Sequence, residues 1–218
     1  FILLEAGTSV QKQWALPQIA EGKLILTPMW SQPGTEYDTT KIKAKIQRGN
    51  YMLTGSKLFV AYANVADYLV SQVYVSDEVA TLFLIDTKSG GLKLNQLLTI
   101  AKDKQFEVKL SQVVVARNDM LGELDNGQVY LDRVLPRALV AKSMEMLGAA
   151  QQVVEMATDY AKQRVQFERP IGSFQAIQHH CANMAIDLEA SRFLAYRTAW
   201  MISQGLPCNK ESYMTKAY

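Results

Sequence analysis

Residues 164–180 read RVQFERPIGSFQAIQHH and interrupt what is otherwise one long helical pattern with two arginines, a proline and a glycine. Upstream, Val140, Met144, Leu147, Val154, Ala157 and Ala161 recur at threes, fours and a seven, which puts them on one face of a helix over about residues 129–166. Downstream, Ile177, Cys181, Met184, Leu188, Ala195 and Ile202 repeat the pattern for a second long helix. A short loop between long amphipathic helices makes an antiparallel pair, part of a helical bundle. Pro170 and Gly172 supply the turn chemistry for that loop. Pro136, inside the first helix, marks a kink or an early boundary.

Working back toward the amino terminus, the texture changes. KLILTPMW, NYMLTGSKLFVAYA, DYLVSQVYV, TLFLIDT, GLKLNQLL and QFEVKLSQVVVA are short runs rich in Val, Leu, Tyr, Phe and Thr. They are separated by turn signals such as RGN at 48–50, KSGG at 88–91 and ELDNG at 123–127. Regular strand spacing without intervening helices predicts an antiparallel sandwich or small barrel of about a hundred residues and excludes a parallel doubly wound sheet. Residues 1–22 carry helical spacing, with Pro17 and Gly22 closing a short helix pair. The fold class is therefore α+β, with a β-barrel or sandwich in the middle and long antiparallel helices of a bundle after it. The expected divisions are 1–23, 24–127 and 128–218.

Composition limits the partners. Of 218 residues, 23 are basic and 21 acidic, so no bulk charge points to nucleic acid or an anionic membrane. Cys181 and Cys208 are too few for a disulfide framework or a metal cluster, which fits a reducing, cytoplasmic compartment. No apolar run approaches the roughly 20 residues that a membrane span needs. The chain opens on Phe1 within FILLEAG and stops at ESYMTKAY, and both ends read as cut from a longer protein.

Several separate words, in order, carry a resemblance. GTSVQKQWALPQIAEGK at 7–23, SQPGTEYD at 31–38, LTGSKLFVAYANVADYLV at 53–70 and RVQFERPIGSFQ at 164–175 together resemble the acyl-CoA dehydrogenase family over essentially the whole chain. The resemblance implies a flavoprotein with an N-terminal helical domain, a middle β-barrel and a C-terminal four-helix domain, assembled as a homo-oligomer, a dimer or tetramer. It implies FAD as cofactor, an acyl-CoA thioester as substrate, its trans-2-enoyl derivative as product, and electron-transfer flavoprotein or a similar acceptor as partner. This chain would hold the end of the first domain, the middle one and part of the last.

The resemblance also assigns roles. Arg164, Phe167 and Gln175 fall where the family reaches the FAD of a neighbouring subunit, and a guanidinium and a carboxamide both suit phosphate oxygens. Trp30, Ser31, Phe59 and Ala61 fall on its flavin positions, and Tyr37 on a position beside the substrate. Departures are visible: Ala61 lacks the hydroxyl of the family's threonine, Tyr37 replaces a small serine, and Glu168 stands where the family has glycine.

The reaction requires a carboxylate base, which most members carry beyond the end of this segment. Some place it on the first long helix, at a position aligned with Ala138, which cannot act; Glu145 and Glu155 on that helix read as solvated. The catalytic residue is therefore unknown. His179 and His180 are adjacent and cannot share a metal as an i, i+4 pair can, so no metal is expected. Ala61, Tyr37, Glu168 and Ala138 together leave an alternative: a non-catalytic relative kept as a scaffold or partner subunit.

Overall fold

The computed structural model describes residues 1–29, 41–76 and 79–218. These fall into two compact units, Phe1–Asp132 and Arg133–Tyr218.

The first unit opens with two short helices, α1 (Ile2–Ala6) and α2 (Ser9–Ala20). Thr8 and Gln11 form a capping box: the Gln11 amide donates to Thr8 Oγ1 at 3.2 Å, and the Thr8 amide donates to Gln11 Oε1 at 2.8 Å. That exchange satisfies two of the free amides at the helix start. The Gln11 carboxamide is buried and also donates through Nε2 to the carbonyls of Asn118 (2.9 Å) and Met120 (3.0 Å), fastening α2 to a segment more than a hundred residues away. Pro17 lies inside α2 rather than closing it.

Eight strands follow: β1 (Leu26–Met29), β2 (Lys43–Gln47), β3 (Asn50–Ala61), β4 (Tyr68–Tyr74), β5 (Ala80–Asp86), β6 (Leu92–Leu97), β7 (Gln105–Val115) and β8 (Met120–Leu121). They form one sheet in the order β6-β7-β3-β2-β4-β5-β8, with β1 added on β4. Two expectations need correction here. The sheet is open, ending on β6 and β8, so it is not a closed barrel. It is mixed, since β1 and β2 both run parallel to β4 while the remaining pairs are antiparallel. The physical cause is the return path: β1 and β2 both enter beside β4 before the chain reaches it, a long-range choice that alternation within a strand does not encode.

Burial follows the pattern of each run. β3 and β7 largely alternate, sending Tyr51, Leu53, Val108, Leu110, Val113 and Val115 into the core and their neighbours outward. β4 and β5, in contrast, are buried on both faces along almost their whole length. Phe83 sits fully enclosed at the centre, its ring 4.8 Å from that of Tyr51.

α3 (Gly127–Gln163) begins in the first unit and continues into the second without a break at Pro136. A small hairpin, β9 (Val165–Gln166) with β10 (Arg169–Pro170), and a 3₁₀ turn at Ile171–Ser173 lead into α4 (Gln175–Ser203). Arg192 Nη2 donates to Gln151 Oε1 at 2.9 Å, so α4 runs back along α3. After Gly205 and Pro207 comes α5 (Asn209–Ala217), joined to α4 where the buried Thr198 and Thr215 hydroxyls lie 2.8 Å apart. Three helices make up this unit among the described residues. No helix there is long and apolar enough to cross a membrane.

Candidate functional site

The hairpin between α3 and α4 is built by local hydrogen bonds. The Arg164 amide donates to the Tyr160 carbonyl at 2.8 Å, the last turn of α3, and the Arg164 carbonyl accepts from the Ile171 amide at 2.8 Å. Gly172 passes close to α3, and a Cβ there would stand 2.9 Å from the Ala161 carbonyl oxygen, so only glycine allows the approach. Gln178 Nε2 donates to the Gly172 carbonyl at 3.0 Å and fixes the turn to the start of α4. These bonds leave Arg164, just beyond the end of α3, and Gln175, the first residue of α4, at one end of the helical unit. Both are exposed, and neither side chain has a hydrogen-bond or ion-pair partner among the described residues. A cation and an amide with unspent donors suit a phosphate ligand.

The tip of the hairpin is the pair Phe167 and Glu168, with φ of 52° and 65°. A two-residue hairpin loop demands this left-handed backbone, for which glycine is the usual residue at the second position. The Phe167 ring is 85% exposed and meets the Phe174 ring edge-on at 6.1 Å, and the Arg169 guanidinium lies over the Phe174 ring, 4.1 Å from its centroid. Glu168→Gly should therefore relieve backbone strain without removing a contact and raise stability by about 0.5–1 kcal/mol. The check is a thermal unfolding midpoint; a lower midpoint in the variant would show that the Glu168 side chain has a partner that outweighs the strain.

In the first unit, Phe59 stands in a β-bulge, where the register between β3 and β7 shifts between Lys57 and Val60. Its φ of 56° turns the ring out of the strand's alternation, and the side chain is half exposed. The bulge leaves Phe59 outside the strand core, a placement that only long-range register reveals. Ala61 closes β3, and its carbonyl accepts the buried Thr27 hydroxyl at 2.7 Å. Thr27 is a neighbour that the sequence reading does not single out. Trp30, Ser31 and Tyr37 lie outside the described residues. Phe59 and Ala61 thus belong to one unit, and Arg164, Phe167 and Gln175 to the other.

No carboxylate on α3 is poised as a base. Glu145 pairs with Lys142 at 2.8 Å and is well exposed, and Glu155 accepts from Gln151 Nε2 at 2.8 Å. Ala138 offers no acid–base group, and Arg137 beside it is engaged. No group of three or more His, Cys, Asp or Glu side chains that could hold a metal occurs among the described residues. His179 and His180 are exposed, and Cys181 is half-buried rather than fully buried on its stripe. Two groups that burial shifts upward, Tyr68 and Asp119, line a concavity of about 260 Å³ beside Trp14. Burial pushes the Asp119 carboxyl up despite its bond from the Ala116 amide, and burial followed by Asp86, Asp119 and Asp67 pushes the Tyr68 hydroxyl up. Asp119 caps the 3₁₀ turn at Arg117–Asp119, which is structural work.

Residues 129–218 match the family model described as acyl-CoA dehydrogenase, C-terminal domain. A 3-(aryl)acrylate reductase of Clostridium sporogenes is 31% identical over 99% of this chain and 59% of its own length. Residues 129–218 thus match the acyl-CoA dehydrogenase C-terminal domain, and the chain is similar to members of that family over nearly its whole length. A mitochondrial short/branched chain specific acyl-CoA dehydrogenase of Bos taurus is also 31% identical, over 96% of this chain and 50% of its own. Among solved structures, butyryl-CoA dehydrogenase of Megasphaera elsdenii superposes with a TM-score of 0.88 at 25% identity, over 98% of this chain and 58% of that one. The chain spans roughly half to three-fifths of the length of these relatives.

Proposed function

We propose that this chain is the cofactor- and thioester-handling part of an FAD-dependent acyl-CoA dehydrogenase that oxidises an acyl-CoA to its trans-2-enoyl-CoA. The observation that carries the reading is the α3–α4 hairpin, which presents Arg164 and Gln175 with their donors unspent on a turn held by Gly172. Similarity to the family gives that hairpin its context. On this reading residues 1–23 end an N-terminal helical domain, 24–127 form the middle β domain, and 128–218 are part of a C-terminal four-helix domain.

The residues present fit the cofactor in part. Arg164 would bind its diphosphate as a fixed cation and Gln175 as an amide donor, reaching a cofactor held mainly by a neighbouring protomer. Phe167 would cover the same edge with its exposed ring. Phe59 would lay an aromatic face against the flavin ring system, with Trp30 and Ser31 contributing beside it and Tyr37 bordering the substrate. At Ala61 only the backbone is left to donate or accept, because the side chain has no hydroxyl. When bound, FAD supplies the acceptor for the substrate's hydride. The chain's own residues bind and orient; the base that takes the α-proton is unassigned.

Assembly into a homo-oligomer is supported by apolar side chains left on the outside of the long helices. Met146, Val153 and Tyr160 on α3, and Ile186, Phe193 and Trp200 on α4, recur at sevens and are exposed within this chain. Such stripes are seams for another helix. A cytoplasmic location and electron-transfer flavoprotein as acceptor complete the proposal. One relative, a caffeyl-CoA reductase-Etf complex subunit of Acetobacterium woodii, supports that acceptor.

The reading is tested by adding butyryl-CoA anaerobically to the purified full-length protein. The flavin's visible band should bleach as hydride leaves the substrate. A flavin band that no acyl-CoA of any chain length bleaches would instead support the scaffold alternative.

A further inference from the structure

Strand pairing fixes which side chains share the outer face of β2, β3, β7 and β6. Lys45 lies opposite Met52 and Lys43 opposite Thr54; Met52 lies opposite Val114, Ser56 opposite Lys109, and Lys109 opposite Lys93. Their chain neighbours Leu53, Val108, Leu110 and Val113 point into the core, so this set points away from it. The face therefore gathers four lysines across four adjacent strands. Its one carboxylate among the described residues, Glu107, holds Lys109 at 3.0 Å and accepts from Asn95 Nδ2 at 2.9 Å. Lys41, Lys43, Lys45, Met52, Thr54 and Gln112 line a shallow groove of about 690 Å³ along the β2 side of it.

Two features separate this face from an ordinary solvated surface. Lys93 and Lys109 stand directly across from each other, a like-charge pair that weakens the free sheet. Lysines on edge strands guard against sheet-to-sheet pairing, which accounts for Lys93 on β6, but Lys109 is on the interior strand β7. In addition, the exposed Val114 and the half-buried Met52 lie between the lysine positions and offer apolar contact.

We propose that this sheet face docks an acidic segment of a partner protein, with carboxylates meeting Lys45, Lys93 and Lys109 and apolar side chains meeting Met52 and Val114. The interleaved apolar residues favour a protein over a nucleic acid. Single-stranded nucleic acid uses aromatic side chains for base stacking; Tyr51 and Phe106 on these strands are turned into the core, and the exposed Phe59 lies in the bulge three residues beyond Ser56, past the lysine positions. The site is separate from the flavin reading and does not depend on it.

The test is fluorescence anisotropy with the full-length protein and a labelled glutamate-rich peptide carrying spaced leucines. The wild type should bind it, more weakly as salt is added, and Lys93→Glu combined with Lys109→Glu should weaken binding about tenfold or more. Val114→Ser should weaken the peptide but not the binding of a poly-glutamate lacking leucines. Lys142→Glu with Lys162→Glu, on the helical unit, should change nothing. Lys93→Glu alone should already weaken binding in part, and because it places an acid opposite Lys109 it should not lower the unfolding midpoint, so the loss of binding is read on a variant that keeps its fold. Absence of binding by the wild type, equal binding by the double variant, or tighter binding of an oligonucleotide than of the peptide would each overturn the proposal.

Discussion

Phe83→Ala should destabilise the protein by about 3–5 kcal/mol, a large part of the 5–15 kcal/mol that holds a typical domain folded. The ring is completely enclosed, pairs with Tyr51 at 4.8 Å, and sits on β5 between Ser71 of β4 and Met120 of β8. Removing it leaves a cavity in the middle of the sheet's core, where two strands buried on both faces have little freedom to collapse. Phe83→Leu retains most of the volume and should cost less than about 2 kcal/mol. Urea denaturation of the full-length variants measures both. A Phe83→Ala loss below about 1 kcal/mol would mean that the site is open to rearrangement or to water.

Arg164→Ala should weaken FAD retention by roughly tenfold to a hundredfold, the worth of about 1.5–3 kcal/mol for a hydrogen bond to a charged group. The guanidinium is exposed and engages no other side chain among the described residues, so its removal takes nothing from the fold of the helical unit. The unfolding midpoint of the flavin-free protein should therefore stay at the wild-type value. Arg164→Lys should recover only part of the loss, because an ammonium keeps the charge but not the planar fork of donors. Retention unchanged in Arg164→Ala would make the residue a solvated surface cation.

The long helices were legible because their apolar residues step at threes and fours over many turns, and the hairpin because Pro170 and Gly172 interrupt that step. The six runs rich in branched and aromatic residues all became strands. β2 carries no strong strand signal although Lys43, Ala44, Lys45 and Ile46 alternate: two lysines and an alanine speak against a strand by propensity, and its pairing with β3 outweighs them. The barrel expectation fell for a different reason. Closure and the parallel entry of β1 and β2 beside β4 depend on strand order, and no local pattern carries that.

For the site, residue types in order pointed to Arg164, Gln175 and Phe59, but geometry added what words in a sequence lack. Glu168 stands where the resemblance has glycine; in the fold it occupies the left-handed second position of the hairpin tip, the backbone conformation that favours glycine. Phe59 sits in a run of strand-forming residues, and the bulge after Lys57, set by pairing with β7, turns it outward. Thr27 carried no signal, since its hydroxyl bond to Ala61 joins residues 34 apart in sequence.

The most direct test of the central claim is the flavin content of the full-length protein. Titrating FAD into flavin-free protein by calorimetry should give one equivalent bound per chain, with the affinity falling in Arg164→Ala. Protein that is colourless as purified and takes up no FAD would contradict the flavoenzyme reading of the α3–α4 hairpin.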